Sequence, residues 1–281
     1  MNIDVTDIKP RIGSIVRVDP AALLSEDVIQ RCLELLENRG VLVFPRVALS
    51  DAEQLAFTDR LGTRVNFTRS VPGGNEAAPD VYKITLDPKV NPQPEYVQGT
   101  FFWHMDGLNS DIPPPKATML SCRRPSKKGG QTQFASTYAG YESLPQAQKD
   151  EIADLKAVHS LLSSMRSVVD TPTAEELARW GRSPVKQHPL VWTRRSGRKS
   201  LIVGNTAERV VEMPLPDGRA LLARLLEWTA QPDFQYSHEW EEGDLVVWDN
   251  CGTLHRVVPY SRDSGRIMHR TTIAGTEAVT S

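Results

Sequence analysis

The chain has 281 residues, of which 40% are hydrophobic and 24% are charged, an ordinary composition for a soluble globular protein. Lysine and arginine together number 33 and aspartate and glutamate 35, which gives a formal net charge of −2. This balance disfavours a nucleic-acid partner, because proteins that bind phosphate backbones carry a concentrated positive field. No apolar run approaches the roughly 18 residues that a membrane helix requires. The sequence therefore predicts neither a nucleic acid nor a membrane as partner.

The N-terminal residues and the cysteines indicate the compartment. The first ten residues include Asp4 and Asp7 and no long apolar run, which argues against a secretory signal. Cys32, Cys122 and Cys251 are odd in number and widely spaced, so they fit neither a disulfide framework nor a zinc motif. Cys251 lies four residues before His255, but a thiolate prefers softer metals. We therefore expect its side chain to pack in the core. These features predict a reduced, cytoplasmic protein.

The first 62 residues predict alternating strands and helices. The predicted order is a strand at 13–19, a helix at 26–38, a strand at 41–44 and a helix from 51 to 62. Gly40 supplies a C-terminal stop for the first helix. Ser50 and Glu53 form a capping box that opens the second.

Residues 65–101 differ from what precedes them. They are rich in proline, glycine and asparagine around one predicted strand at 81–86. Long loops in compact domains are more often functional than idle. This segment leads into the sequence FFWHMDG at 101–107, so we expect it to be a loop-rich lid over a substrate.

The second half predicts many short strands separated by turns. The predicted strands are 117–122, 131–136, 189–193, 199–204, 234–240, 245–249 and 265–273. The predicted helices run from Pro145 to about Leu155, from Thr173 onward and over 218–229. This order fits an antiparallel double-sheet barrel rather than repeated βαβ units. We expect one domain over 1–281, mainly β, with a cupin-like jelly-roll core decorated by α-helices.

Two segments far apart in the chain carry candidate metal ligands. FFWHMDG places His104 and Asp106 two positions apart, and in an extended strand such residues share a face. The segment WDNCGTLHRVVPYSRDSGRIMHR adds His255, with Arg266 and Arg270 four positions apart on one strand face. Two imidazoles and one carboxylate form the facial triad of non-haem Fe(II) oxygenases. A nearby guanidinium suits a carboxylate, which it can hold by two parallel hydrogen bonds.

The joint pattern of His104-x-Asp106, WDN followed by His255, and GRIMHRTTI resembles the taurine dioxygenase-like (TauD/TfdA) family of Fe(II)/2-oxoglutarate-dependent oxygenases. The segments RGVLVF, GGQT and HPLVWT…GRKSL extend the resemblance over most of the chain. It implies a double-stranded β-helix with His104, Asp106 and His255 as the catalytic iron ligands. It implies that Arg266 pairs with the distal carboxylate of 2-oxoglutarate, that Thr132 lies near that carboxylate, and that O2 is the other cosubstrate.

The substrate is expected to be a small molecule. The run before His104 is more apolar than in taurine-using members, which does not favour taurine. Phe101 and Phe102 favour an apolar substrate body, and because they alternate, at most one should face the pocket. Arg270 either binds an anionic group of the substrate or forms a buried ion pair with an aspartate. We therefore expect an acid with an apolar body, such as a sulfonate, a sulfate ester or an aryloxyalkanoate.

Other functions remain open at this point. A natural-product tailoring oxygenase would use the same site for hydroxylation, desaturation or ring chemistry on a larger, less charged substrate. The intact ligand positions disfavour a non-catalytic binding protein, and a zinc hydrolase would leave Arg266 without a purpose. Halogenation is disfavoured because related halogenases lack the carboxylate ligand that Asp106 provides.

The remaining aromatic and imidazole side chains are assigned to the scaffold. Trp103 and Trp248 flank the ligands and are expected to pack the barrel. His159, His188 and His238 have no partner pattern, so we expect them to be structural or exposed. A homo-oligomer is compatible with the sequence.

Overall fold

The computed structural model describes residues 3–69, 79–91 and 93–280. The strands are β1 (Asp4–Lys9), β2 (Ile12–Arg17), β3 (Val41–Phe44), β4 (Tyr82–Ile84), β5 (Ala117–Arg124), β6 (Thr132–Ser136), β7 (Lys156–His159), β8 (Lys186–Pro189), β9 (Val191–Thr193), β10 (Lys199–Leu201), β11 (Ala207–Val210), β12 (Gln235–His238), β13 (Leu245–Asp249), β14 (Thr253–Val257) and β15 (Ile267–Ile273). The helices are α1 (Glu26–Arg39), α2 (Asp51–Leu61), α3 (Pro94–Gly99), α4 (Thr137–Glu142), α5 (Gln146–Ile152), α6 (Leu161–Arg166), α7 (Ala174–Trp180) and α8 (Leu215–Thr229). Helices and strands hold similar numbers of residues, so the fold carries more helix than the sequence analysis implied.

Two sheets form the barrel. One has seven strands in the order β1-β2-β3-β13-β5-β15-β4, and the other has three in the order β12-β6-β14. Side chains from both meet in one apolar cluster, in which Phe134 of β6 lies 5.4 Å from Trp248 of β13, measured between ring centroids. Neighbouring strands are antiparallel except for β2 and β3. The predicted double-sheet barrel is therefore present, with Trp248 inside it.

Helices cover the outer face of the seven-stranded sheet. The buried residues of α1 recur at helical spacing, and the helix ends at Gly40, whose φ of 72° is left-handed. The predicted capping box of α2 forms between Ser50 and Glu53. By contrast, the side chain of Ser25 makes no capping hydrogen bond. Among the described helices, none combines the length and the apolar character needed to cross a membrane.

Several short elements were not predicted. They are β1, α3, α4, α6, β7, β8, β11 and β14. Helix α4 shows why: it has only six residues, and the backbone of Gly140 lies against Thr229 of α8, where an added Cβ would come within 3.0 Å of the hydroxyl. Such a short helix is marginal alone and depends on tertiary packing, which a local pattern does not reveal.

The predicted lid is only partly within the described residues, because 70–78 and 92 lie outside them. In the described part, β4 joins the edge of the seven-stranded sheet by pairing with β15, with Tyr82 opposite Arg270 and Ile84 opposite Met268. Helix α3 follows, where the sequence predicted loop. This segment is therefore attached to the strand that carries Arg270.

Three histidines outside the ligand candidates have structural partners, as expected. His159 is buried and its Nδ1 lies 2.9 Å from the Thr206 hydroxyl oxygen. The ring centroid of His188 lies 5.4 Å from that of His159, and Nε2 of His188 is 2.7 Å from the Leu108 carbonyl oxygen. His238 pairs with Asp244 at 3.1 Å. Burial, with a smaller effect of His188, lowers the pKa of His159 to about 3.

We expect His159 to lower the free energy of unfolding as the pH falls. The unfolded chain takes up a proton with an ordinary pKa near 6.5, whereas folded His159 stays neutral down to about pH 3. Stability is therefore lost as the pH falls from about 6.5 towards 3, and His159 should account for about 2 kcal/mol between pH 7 and pH 5. Urea unfolding of the metal-free protein at both pH values measures this difference. In His159→Gln it should shrink by that amount, and an unchanged difference would contradict the assignment.

Candidate metal and cosubstrate site

The structure brings the three predicted ligands together. Ligand atoms of His104, Asp106 and His255 all lie within 4.8 Å of one another. The Nε2 atoms of the histidines are 4.0 Å and 3.9 Å from Oδ1 of Asp106, and the three side chains are between 7% and 12% exposed. An ion held at about 2.1 Å, a common metal–nitrogen distance, requires these atoms to approach one another by about 1 to 2 Å. The donor set and spacing fit one metal ion.

His104 does not lie in the regular strand that the sequence suggested. It forms an isolated antiparallel bridge with His255 of β14, through backbone N–H···O bonds of 3.1 Å and 3.0 Å. The two imidazole centroids are 4.1 Å apart. Gly204 lies directly behind, where a Cβ would come within 3.2 Å of the His104 Cα. A single backbone bridge thus replaces the strand and still places both rings side by side.

A backbone contact sets the tautomer of His104. Its Nδ1 lies 2.8 Å from the Phe102 carbonyl oxygen. Since a carbonyl only accepts, Nδ1 carries the proton and Nε2 keeps a free lone pair. That lone pair is on the nitrogen nearest Asp106, as metal binding requires. Such contacts behind a ligand fix its ring and raise its basicity.

A chain of buried side chains orients Asp106. The Trp248 indole donates to the Asn250 side-chain oxygen at 2.9 Å, and the Asn250 amide donates to the Thr118 hydroxyl at 2.8 Å. Thr118 then donates to Oδ2 of Asp106 at 3.0 Å, and Arg270 donates to the same oxygen at 3.1 Å. Oδ2 is thereby occupied, which leaves Oδ1 directed towards the histidines.

The electrostatics place all three candidate ligands in the protonation state that binds a metal. Burial alone raises the pKa of Asp106, but Arg270, the two histidines and Thr118 outweigh it and hold that pKa at about 2. Burial lowers the pKa of His104, and burial together with the neighbouring His104 lowers that of His255. Near neutral pH the site is one carboxylate and two neutral imidazoles, and no ligand has to lose a proton when the metal binds.

Arg266 is a buried cation without a carboxylate. It is 3% exposed, and no ion pair joins it to an acid within the described ranges. Its Nε is buried and has no hydrogen-bond partner there. Burial lowers its pKa, although the Tyr260 phenol opposes the effect. A buried charge is costly unless it is paired, so the site fits an anion supplied by a bound molecule.

The GGQT segment shapes the space beside Arg266. Gly130 has a φ of +84°, and a Cβ there would lie 3.2 Å from Cδ and Nε of Arg266. At Gly129 a Cβ would come within 2.1 Å of the Pro259 carbonyl oxygen. Thr132 accepts a 2.9 Å hydrogen bond from the Trp240 indole. Because the indole donates, the Thr132 hydroxyl keeps its own proton for another acceptor.

The predicted substrate residues lie in different environments. Phe101 is partly buried and packs edge-on against Tyr260 at 5.8 Å, whereas Phe102 is 39% exposed. Arg270 makes the ion pair with an aspartate that the sequence left open, and the partner is Asp106. Tyr82 is paired with Arg270 between β4 and β15. Burial raises the pKa of Tyr82, and the nearby Arg270 guanidinium opposes that rise.

Sequence reasoning missed several residues of this site. They are Tyr82, Thr118, Trp240, Asn250 and Tyr260. Asn250 belongs to the quoted WDN motif, so its place before His255 was a signal, but its partner Thr118 lies on the neighbouring strand β5, far away in the sequence. The others carry no local pattern that distinguishes them from core residues.

The comparisons with known proteins agree with this geometry. A family model described as "Taurine catabolism dioxygenase TauD, TfdA family" matches residues 4–272. The chain belongs to this family. The dioxygenase is therefore an oxidoreductase that uses Fe(II), 2-oxoglutarate and O2, and its fold is the predicted double-stranded β-helix.

Two curated relatives and one solved structure illustrate the similarity. The alpha-ketoglutarate-dependent 2,4-dichlorophenoxyacetate dioxygenase of Cupriavidus pinatubonensis is 35% identical over 266 residues, covering 91% of each chain. The (S)-phenoxypropionate/alpha-ketoglutarate-dioxygenase of Sphingobium herbicidovorans is 31% identical, covering 85% of this chain and 83% of the relative. The crystal structure of AAD-2 with Mn(II) and N-oxalylglycine superposes with a TM-score of 0.82 at 30% identity and covers 100% of both chains.

Proposed function

We propose that this dioxygenase oxidises a small carboxylic acid with an apolar body, with an aryloxyalkanoate as the first candidate. The proposal is carried by Arg270, a second guanidinium at the site, whose side chain is only 20% exposed. Its 3.1 Å ion pair with Asp106 is the other role that the sequence left open for it, and this bond is made through Nη2. The two relatives named for dichlorophenoxyacetate and phenoxypropionate act on acids of this class, which supports it.

In this proposal His104, Asp106 and His255 hold the iron, and Arg266 and Thr132 hold the distal carboxylate of 2-oxoglutarate. When bound, the iron supplies the O2-dependent oxidation of a substrate C–H bond, coupled to conversion of 2-oxoglutarate to succinate and CO2. The protein positions the reactants and excludes water. Arg266 offers a rigid fork for two parallel bonds, and the Thr132 hydroxyl offers its free proton.

The ion pair between Arg270 and Asp106 is compatible with substrate binding. Within the part of the chain that the structure describes, Arg270 donates one side-chain hydrogen bond, from Nη2, and a guanidinium has five N–H donors. Oδ1 of Asp106 would hold the metal, which would offset part of the carboxylate charge, and Arg270 would then have donors and charge available for the acid group of a substrate. A carboxylate held there keeps the adjacent carbon near the iron ligands.

Oxidation at the carbon next to the carboxylate is the reaction expected of an aryloxyalkanoate. The carbon next to its carboxylate also bears the ether oxygen. Hydroxylation at this carbon gives a hemiacetal or hemiketal, which breaks down to a phenol and a 2-oxo acid. Release of a phenol is therefore the product signature of this substrate class.

We further propose that residues 65–101 form the lid of a single domain spanning 1–281. In the described part, β4 lies along β15 beside Arg270, and Phe101 reaches Tyr260 next to Arg266. The apolar body of the substrate would then lie against Phe101 and Tyr82, while Phe102 is nearer to solvent. The cytoplasmic location and a homo-oligomeric state stay predictions of the sequence.

A panel of matched substrates tests the proposal. Aryloxyalkanoic acids and other apolar acids should stimulate succinate formation, whereas their amides and alcohols should not. Arg270→Ala should raise the KM for the acid at least tenfold, because a charge-assisted hydrogen bond is lost. Because Arg270 also bonds Asp106, uncoupled 2-oxoglutarate turnover is compared at saturating Fe(II), where it should stay close to that of the parent. His269→Gln is the matched control, since His269 is adjacent but bonds Asp51 on the opposite face of β15.

Two outcomes would reject an anionic substrate. One is turnover of neutral amides as fast as acids. The other is a neutral substrate whose turnover is unaffected by Arg270→Ala. Either result would favour the alternative of a tailoring oxygenase that acts on a larger, less charged molecule.

A further inference from the structure

The phenol of Tyr260 is a buried polar group with no partner. Its hydroxyl oxygen is inaccessible to solvent and forms no hydrogen bond with the part of the chain that the structure describes. Buried tyrosine hydroxyls usually find a partner, and an unsatisfied one costs free energy. The established contacts of the fold therefore leave this oxygen unexplained.

Tyr260 lies between an apolar wall and a cation. Its ring packs with Leu86, Val97 and Val257, and the Phe101 ring meets it edge-on at 5.8 Å. On the other side, the guanidinium carbon of Arg266 is 4.9 Å from the ring centroid. The phenol therefore lies beside the buried guanidinium of Arg266, which requires an anion.

Tyr260 and Arg266 each contribute one unsatisfied polar atom to this contact. Nε of Arg266 is buried without a hydrogen-bond partner in the described residues, as is the Tyr260 hydroxyl. The phenol and the guanidinium lie close enough that a polar contact between them shifts the pKa of each, but neither of these two atoms has a hydrogen bond of normal geometry in the described residues. Burial raises the pKa of Tyr260 above its ordinary value, so the phenol keeps its proton near neutral pH and remains a donor. A carboxylate placed here would accept from both.

We propose that Tyr260 is a further cosubstrate-binding residue, whose hydroxyl donates to the distal carboxylate of 2-oxoglutarate beside Arg266 and Thr132. The proposal rests on the assigned role of Arg266. It gives each unsatisfied donor an acceptor, and a carboxylate has enough lone pairs for three donors. Phe101 then closes the apolar side of this carboxylate site through its contact with Tyr260.

Tyr260→Phe tests this directly, because it removes one oxygen and keeps the ring that packs on Phe101. The Fe(II)-loaded protein is titrated anaerobically with 2-oxoglutarate, and binding is followed by the visible charge-transfer band. We expect the Kd to rise about ten- to a hundredfold, the loss typical of one hydrogen bond to a charged group. Fe(II) affinity should be unchanged. Tyr236→Phe is the control, since that phenol bonds His238 instead, and its Kd should match the parent.

A second ligand separates a binding role from a structural one. The acid 2-oxopentanoate has the same chain length but no distal carboxylate, so parent and Tyr260→Phe should bind it equally. An unchanged Kd for 2-oxoglutarate, or an equal loss for both ligands, would overturn the proposal. Arg266→Lys is measured alongside. If it binds 2-oxoglutarate as tightly as the parent, the assignment of Arg266 fails, whatever Tyr260→Phe does.

Discussion

Replacing Asp106 by alanine is expected to weaken Fe(II) binding at least a hundredfold and to abolish coupled turnover of 2-oxoglutarate. Asp106 is the one anion among the three proposed ligands, and its carboxylate is charged near neutral pH because Arg270, the histidines and Thr118 outweigh its burial. Without it, two neutral imidazoles remain beside the Arg270 cation, a poor site for a divalent ion. Anaerobic Fe(II) titration measures the affinity, and circular dichroism checks that the fold is kept.

A graded series sharpens this test. Thr118→Val leaves the ligand in place but removes the hydrogen bond to Oδ2, so Fe(II) affinity should fall by about ten- to a hundredfold, the usual loss for a residue that orients a ligand. Asp111→Ala is the matched control, because Asp111 pairs with Lys186 at the surface. If Asp106→Ala binds Fe(II) like the parent, the metal assignment is wrong. If only Thr118→Val behaves like the parent, the carboxylate does not depend on that contact.

Replacing Arg266 by lysine should raise the Kd for 2-oxoglutarate by about ten- to a hundredfold while Fe(II) still binds. The guanidinium is buried, so its bonds to a carboxylate compete with little water. An ammonium keeps the charge but lacks the planar fork that makes two parallel bonds. Anaerobic titration of the charge-transfer band gives the Kd. The exposed Arg262 on the preceding turn provides the control Arg262→Lys.

Gly130 offers an independent route to the same site. An added Cβ would lie 3.2 Å from Nε of Arg266, and the residue has a left-handed φ. Gly130→Ala should therefore also weaken 2-oxoglutarate binding, by displacing the guanidinium rather than removing it. Normal affinity in both Arg266→Lys and Gly130→Ala would show that the distal carboxylate binds elsewhere.

Local patterns predicted the elements whose own residues define them. The apolar spacing and Gly40 specify α1, and Ser50 with Glu53 specifies the start of α2, because these interactions lie within one or two helical turns. Short elements such as α4 and β7 were missed, since their stability comes from packing against distant residues. The strand expected around His104 is absent, because a bridge to β14 holds that segment instead.

The sequence by itself determined the chemistry of the site. Ligand types and their spacing indicated His104, Asp106 and His255, and the position of Arg266 indicated an anionic cosubstrate, because these inferences depend on side-chain chemistry and on family motifs. Only the tertiary structure decided how the groups are held. The Trp248–Asn250–Thr118 chain onto Asp106, the ion pair of Arg270 and the unsatisfied phenol of Tyr260 join residues far apart in the chain. Hydrogen bonds and burial depend on distances of a few ångströms, and folding sets those distances.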